Sequence, residues 1–140
     1  ENVQKARTEG LEFSAQTSLP GAFEARASFT YLEADNLSNN TRLLRRPRQS
    51  YSLDLWHDFG RVNLGGGLVH VARRRDVSAR TFAQIDAEDY TVTRVYAAWQ
   101  VSPRLKIKAR LETALNETYE EVNGYPALGA GAFVGLELKF

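Results

Sequence analysis

The sequence predicts an all-β protein, an antiparallel up-and-down meander of about seven transmembrane strands. Three observations carry this. Apolar residues recur at every second position through most of the 140-residue chain, the period of a strand rather than of a helix. No apolar run approaches the roughly 18 residues that a membrane helix requires, whereas barrel strands place apolar residues only at alternate positions. The connections alternate short and long without exception, as the two ends of a transmembrane barrel do.

The strand segments are Thr8–Leu19, Ala22–Leu32, Gln49–Trp56, Arg61–Val71, Tyr90–Val101, Leu105–Leu115 and Gly131–Phe140. Most are near the roughly 9 to 11 residues that cross a bilayer at a tilt. Parity separates their faces: Leu11, Phe13, Ala15 and Leu19 oppose Glu12, Ser14, Gln16 and Ser18; Phe23, Ala25, Ala27, Phe29 and Tyr31 oppose Glu24, Arg26, Ser28 and Thr30. Tyr51, Leu53 and Leu55 oppose Ser50, Ser52 and Asp54, and Leu105, Ile107, Ala109 and Leu111 oppose Lys106, Lys108, Arg110 and Glu112. The fourth segment is the weakest, because Gly65 to Gly67 remove side chains and suggest a bend or a close approach on the lumenal side. The last alternates up to an aromatic carboxyl-terminal residue, with Val134, Leu136, Leu138 and Phe140 on one face, as in the terminal insertion signal of bacterial outer-membrane barrels.

Leu19-Pro20-Gly21, His57 to Gly60 and Ser102-Pro103-Arg104 are turn-forming. The polar stretches Glu33 to Arg48, Ala72 to Asp89 and Asn116 to Ala130 are the long connections. This order puts the carboxyl terminus on the short-turn side. The length suits one domain. With no cysteine, disulfide and thiolate chemistry are excluded, and a net charge of +1 exerts no pull toward nucleic acid. The chain opens on Glu1 without an initiator Met or a signal-like segment, so either a signal was removed or the chain is a piece of something longer.

Three stretches, in order, carry a family resemblance. Glu1 to Glu12 holds an Asn, a Lys-Ala pair and a Gly-hydrophobe-Glu triplet. Leu43-Leu44-Arg45-Arg46-Pro47 leads toward a strand, and Pro47 fits there because its missing N–H costs no ladder bond. Arg110, Leu111, Glu112, Leu115 and Asn116 run into Tyr119, Glu120, Glu121, Gly124, Tyr125, Pro126 and Gly129; Thr113 and Ala130 depart from the usual Asn and Arg. Together these resemble the carboxyl-terminal barrel segment of TonB-dependent outer-membrane receptors, of the cobalamin and siderophore transporter type. The resemblance implies that residues 1–140 are part of a 22-stranded barrel, with the plug domain and amino-terminal strands absent. It also implies uptake of a scarce nutrient (a siderophore or cobalamin) across the outer membrane of a Gram-negative bacterium. The implied partners are outer-membrane lipid and lipopolysaccharide, the rest of the barrel, the plug, and the TonB complex through a missing amino-terminal region. Two other readings are a small self-contained outer-membrane barrel, adhesive or structural, and a soluble lipocalin-like barrel with its apolar faces inward.

The residues point to no enzyme and no cofactor. His57 and His70 are the only histidines, His57 in a turn beside Asp58, and no nucleophile elbow or metal-ligand spacing accompanies them. Gly65 to Gly67 lack the Lys-Ser/Thr of a phosphate loop. Asp86, Glu88 and Asp89 lack the spacing of a Ca²⁺ loop. Arginine outnumbers lysine 14 to 4 and clusters at Arg42, Arg45, Arg46 and Arg48 and at Arg73, Arg74, Arg75 and Arg80. Three uses are open to these: lipopolysaccharide phosphate or another anion, pairing with lumenal acids or a plug, or a solvated loop.

Overall fold

A computed structural model describes residues 5–140, so the first four residues of the opening motif, Asn2 among them, lie outside the described residues. Seven long strands, β1 (Ala6–Leu19), β2 (Phe23–Asn36), β4 (Gln49–Asp58), β5 (Val62–Ala72), β8 (Tyr90–Ser102), β9 (Leu105–Glu112) and β12 (Gly131–Leu138), form one antiparallel meander in which each pairs with its neighbours in sequence. The long connections hold more than polar loop. The two-residue β3 (Thr41–Arg42) pairs with the end of β2, and two small hairpins stand apart, β6 (Arg74–Val77) with β7 (Gln84–Ala87) and β10 (Glu120–Val122) with β11 (Tyr125–Pro126).

The register turns the alternation into two continuous faces. Opposed residues of an antiparallel pair share a face, and the chain of partners Leu11↔Tyr31, Ala27↔Leu53, Leu53↔Leu68, Leu64↔Ala97, Trp99↔Ile107 and Ile107↔Leu136 runs across all seven strands. Most of this apolar face is exposed or half-exposed: Phe13 is 61% accessible and Leu136 68%. Among the described residues the only buried hydrophobics are Ala34 and Ala72, so the sheet has no core of its own against which to fold in water. Rings gather at both ends of this face. Phe29 lies 5.1 Å from Tyr51, and Tyr51 6.0 Å from His70, toward the long connections; Phe23 lies 4.6 Å from His57, and His57 4.1 Å from Phe59, toward the short turns. Paired aromatic girdles are the mark of a sheet that meets both membrane interfaces.

Three expectations are adjusted. His57 belongs to β4 rather than to a turn, packed at a tilt between Phe23 and Phe59. The sixth strand stops at Glu112 rather than Leu115, because Thr113 and Asn116 take left-handed backbone angles, φ 50° and 53°, that end a ladder. The glycine strand is unbroken, and its glycines serve a close approach. A Cβ on Gly65 would sit 2.5 Å from the Tyr96 ring, and one on Gly67 2.9 Å from the Asp54 carboxyl carbon, so side chains of the flanking strands cross β5 where it has none.

Nitroxide labels test the two faces. Labels at Leu53 and Leu136 are expected to collide with dissolved oxygen and to be shielded from a water-soluble nickel chelate, with the reverse at Ser52 and Lys108. An inverted pattern would support the lipocalin-like arrangement.

Candidate functional site: the polar wall and the tied external loops

The polar face carries a cross-strand network. Arg94 on β8 reaches over Gly67 to Asp54 on β4, with its Nη2 2.5 Å from Oδ1. Arg26 on β2 donates to Gln16 on β1 (2.8 Å) and lies 5.8 Å from the Trp56 ring centre. Arg110 pairs with Glu112 (2.8 Å) and lies over the Phe133 ring, and Lys108 reaches Glu137 on β12 (2.6 Å). Arg26, Asp54, Trp56, Asn63, Arg94 and Tyr96 line one shallow cavity of about 510 Å³. A wall of alternating charge in contact with water is what a barrel lumen presents.

At the long-connection end, residues 37–48, 73–89 and 113–130 are bound into one unit by Asp76, whose side chain is fully buried. Arg45 donates from Nε to Asp76 Oδ1 (3.0 Å) and from its backbone N–H to the Arg75 carbonyl (2.7 Å). The Val77 N–H donates to the same Oδ1 (2.8 Å), and the Asn123 N–H to Oδ2 (2.7 Å). Burial pushes the Asp76 carboxyl upward, but the two backbone donors and the Arg45 guanidinium outweigh it and hold its pKa below the ordinary value. Arg74 adds a second tie, donating to the Glu120 carbonyl (2.7 Å) over the Tyr90 ring, which stacks 4.5 Å from Tyr119.

The motif residues fall into this unit or beside it. Glu120 accepts from the Gly124 N–H (2.8 Å), and Gly124 takes a left-handed φ of 85° with Ala79 close by. Asn116 accepts from the Ala130 N–H (3.0 Å), and a side chain at Gly129 would crowd that same oxygen. Pro126 pairs with Glu120 in the small hairpin, and Tyr125 is exposed. Arg46 is exposed beside Arg45, Pro47 precedes β4, and Glu112 faces the polar wall. Val134, Leu136 and Leu138 lie on the apolar face, and Phe140 follows β12 fully exposed.

The arginine clusters are largely occupied. Arg45 and Arg74 tie loops together, Arg75 pairs with Asp86 (3.1 Å), and Arg48 meets Glu33 and Tyr31. Asp89 accepts from the Arg73 N–H (2.8 Å), so two of the three loop carboxylates weighed for Ca²⁺ serve the loop fold. Among the described residues no three His, Cys, Asp or Glu side chains gather to hold a metal. Asp76 was not singled out in the sequence. Its only sign there is a single acid closing the run Arg73-Arg74-Arg75.

A two-faced sheet with tied loops at one end is a class, the wall of a transmembrane β-barrel. The particular family follows from comparison. Residues 1–115 match the family model "TonB dependent receptor-like, beta-barrel", and the chain belongs to that family. It is 25% identical over 140 residues to the vitamin B12 transporter BtuB of Vibrio cholerae O1, covering 99% of this chain and 23% of that protein. The chain thus spans about a quarter of the length of the curated relatives it matches. Among solved structures it superposes on the copper transporter OprC with a TM-score of 0.79 (19% identity, 96% of this chain and 24% of that one). It superposes on Pseudomonas aeruginosa FpvA bound to pyoverdines with 0.80 (18% identity, 96% and 20%). For the ferric-catecholate import receptor Fiu of E. coli K12 the score is 0.79 (16% identity, 96% and 21%). These show the fold, an all-β antiparallel meander of the TonB-dependent receptor barrel. The relatives are transporters and receptors, and the family belongs to the Gram-negative outer membrane.

Two results would test the loop unit. Asp76→Ala leaves the Asn123 and Val77 N–H groups without their acceptor at a loss of about 3 kcal/mol of local stability, so protease cleavage in residues 37–48, 73–89 and 113–130 is expected to rise together, with barrel heat-modifiability unchanged. The pH dependence has a definite sign. Because the folded carboxyl lies below its ordinary value, its contribution is complete above the unfolded value of about 3.9 and is lost as pH falls through the lower folded value. Loop protection is therefore expected to hold from neutral pH down to about pH 4 and to fall below it, and Asp76→Asn is expected to remove that step.

Proposed function

We propose that residues 1–140 are the carboxyl-terminal seven strands of a 22-stranded, plugged outer-membrane receptor that takes up a scarce, bulky nutrient, a cobalamin or a siderophore, in a TonB-dependent manner. The observation that carries this is the pair of faces: an exposed apolar band bordered by aromatic rings, backed by a charged wall and capped at one end only by tied loops. The vitamin B12 transporter of Vibrio cholerae and the pyoverdine- and catecholate-binding neighbours support the substrate class. Among the described residues β1 and β12 pair on one side only. Unpaired backbone groups in hydrocarbon cost several kcal/mol each, so further strands or another copy must satisfy these edges, and an isolated sheet is expected to oligomerise in detergent.

In this reading the apolar face meets acyl chains, and Arg48, beside Tyr31 above the ring cluster, with Arg7 farther toward the long connections on the same face, meets lipopolysaccharide phosphate. The polar wall encloses a plug that carries the TonB contact. Val134, Leu136, Leu138 and Phe140 form the signal read by the assembly machinery on the short-turn side. Arg45, Glu120 and the Gly124–Gly129 stretch shape the external rim rather than contact substrate. The full-length receptor, expressed in a strain lacking its own cobalamin and siderophore receptors, is expected to restore uptake of labelled cyanocobalamin or of one ferric siderophore only when TonB is present. Passive, TonB-independent flux, or none for either class, would overturn the proposal.

A further inference from the structure

The chain holds one Asn-Gly pair, Asn123-Gly124, and it forms the turn of the β10–β11 hairpin. Asn is a labile residue, most of all before Gly, whose nitrogen has no neighbouring Cβ to keep it from the Asn side chain. In the reaction the Gly124 nitrogen loses its proton and bonds to Asn123 Cγ, the Cγ–Nδ2 bond breaks, and ammonia leaves. Water then opens the cyclic imide at either carbonyl, giving Asp or isoAsp. No other reactant is needed.

In the tied loop unit both reacting groups are held elsewhere. The Gly124 N–H donates to Glu120 Oε2 (2.8 Å). Asn123 Oδ1 accepts from the Ala79 N–H (3.1 Å), its Nδ2 donates to the same Glu120 oxygen (3.3 Å), and its backbone N–H donates to Asp76 (2.7 Å). Attack requires the Asn123 side chain to leave Ala79 and Glu120, so it proceeds from an opened loop unit. The fold also needs both residues. Gly124 has a φ of 85°, and a Cβ there would stand 2.6 Å from that of Ala79. Asn123 offers a donor to Glu120 and an acceptor to Ala79 from one side chain, which a neutral amide does and a carboxylate cannot. A labile pair is thus kept where connections 73–89 and 113–130 meet.

Conversion reverses the sign of one contact. An oxygen of the new carboxylate replaces Nδ2 beside Glu120 Oε2, and attraction becomes repulsion between like charges. IsoAsp adds a main-chain carbon besides, so the two backbone N–H groups no longer meet Asp76 and Glu120 together.

We propose that Asn123 is a deamidation site held closed by the Asp76 tie, and that its conversion to Asp or isoAsp unties connections 73–89 and 113–130 for good. Opening of the loop unit is thereby recorded as a permanent chemical change.

The test uses the full-length protein in outer membranes, incubated at mildly alkaline pH and scored at position 123 by the amide-to-acid change in mass and by isoaspartyl methyltransferase labelling. Conversion in the folded protein is expected to be about tenfold or more slower than in the same protein unfolded in urea, and Asp76→Ala is expected to speed the folded protein several-fold. Asn123→Asp is expected to raise protease cleavage within residues 73–89 and 113–130 together, with heat-modifiability unchanged, and Glu120→Gln added to it to restore most of the protection. Equal rates in folded and unfolded protein, an Asp76→Ala rate equal to that of the unaltered chain, or no conversion even in urea would overturn the site and its control by the tie. An Asn123→Asp protein as well protected as the unaltered one, or no recovery on adding Glu120→Gln, would overturn the untying.

Discussion

Backbone pairing is the constraint from which the rest of this structure follows. Hydrocarbon offers no partner to an N–H or C=O, so a sheet that crosses it must pair every strand along its length. The unbroken ladder from β1 to β12 meets that demand by the shortest route, each strand folding back on the one before it. Pairing then dictates side-chain placement. With a fixed period of two, one set of residues must face lipid and the other must not, and a slip of one residue anywhere would carry Asp54 or Arg94 into the apolar band. The charged network across β4, β5 and β8 thus opposes register error as well as lining the wall.

The long-connection end obeys a different logic. Once the chain leaves the membrane, water can satisfy the backbone, and long connections could remain independent. They do not, because a buried carboxylate with three donors from three parts of the chain gives residues 37–48, 73–89 and 113–130 a common anchor. A buried charge tolerates few arrangements. Asp76 therefore fixes where the loops stand relative to one another, and the Arg74, Tyr90 and Tyr119 stack repeats the tie a short distance away.

These two regimes explain what the sequence disclosed. Inside the membrane, local pattern and structure are the same thing: the parity of Leu53 or Ile107 is decided by two neighbours, and all seven strands were legible, nearly to their ends. Where the reading fell short, distant residues decide. The end of β9 depends on left-handed angles at Thr113 and Asn116, which serve the loop that follows. Gly65 and Gly67 are explained by Tyr96 and Asp54 on neighbouring strands. The arginines looked available for anions because their partners, Asp76, Asp86 and the Glu120 carbonyl, lie 10 or more residues away or in another loop. Motifs such as Tyr119-Glu120 and Gly124-Tyr125-Pro126 carried a resemblance by their order, while their geometry, a small hairpin docked on Asp76 through Asn123, was not in the pattern.

The division between faces also decides which side chains are constrained and by what. The lipid-facing residues are interchangeable within hydrophobicity, since lipid chains impose no shape. The tied loops are constrained by one another, since each donor to Asp76 restricts a different connection. What neither pairing nor Asp76 constrains is the surface of the loop unit and the polar wall, where Tyr125, Leu128, Phe82 and Phe133 are exposed. A barrel wall built this way holds its fold through pairing and its loop unit through one buried charge, and those exposed side chains carry neither burden.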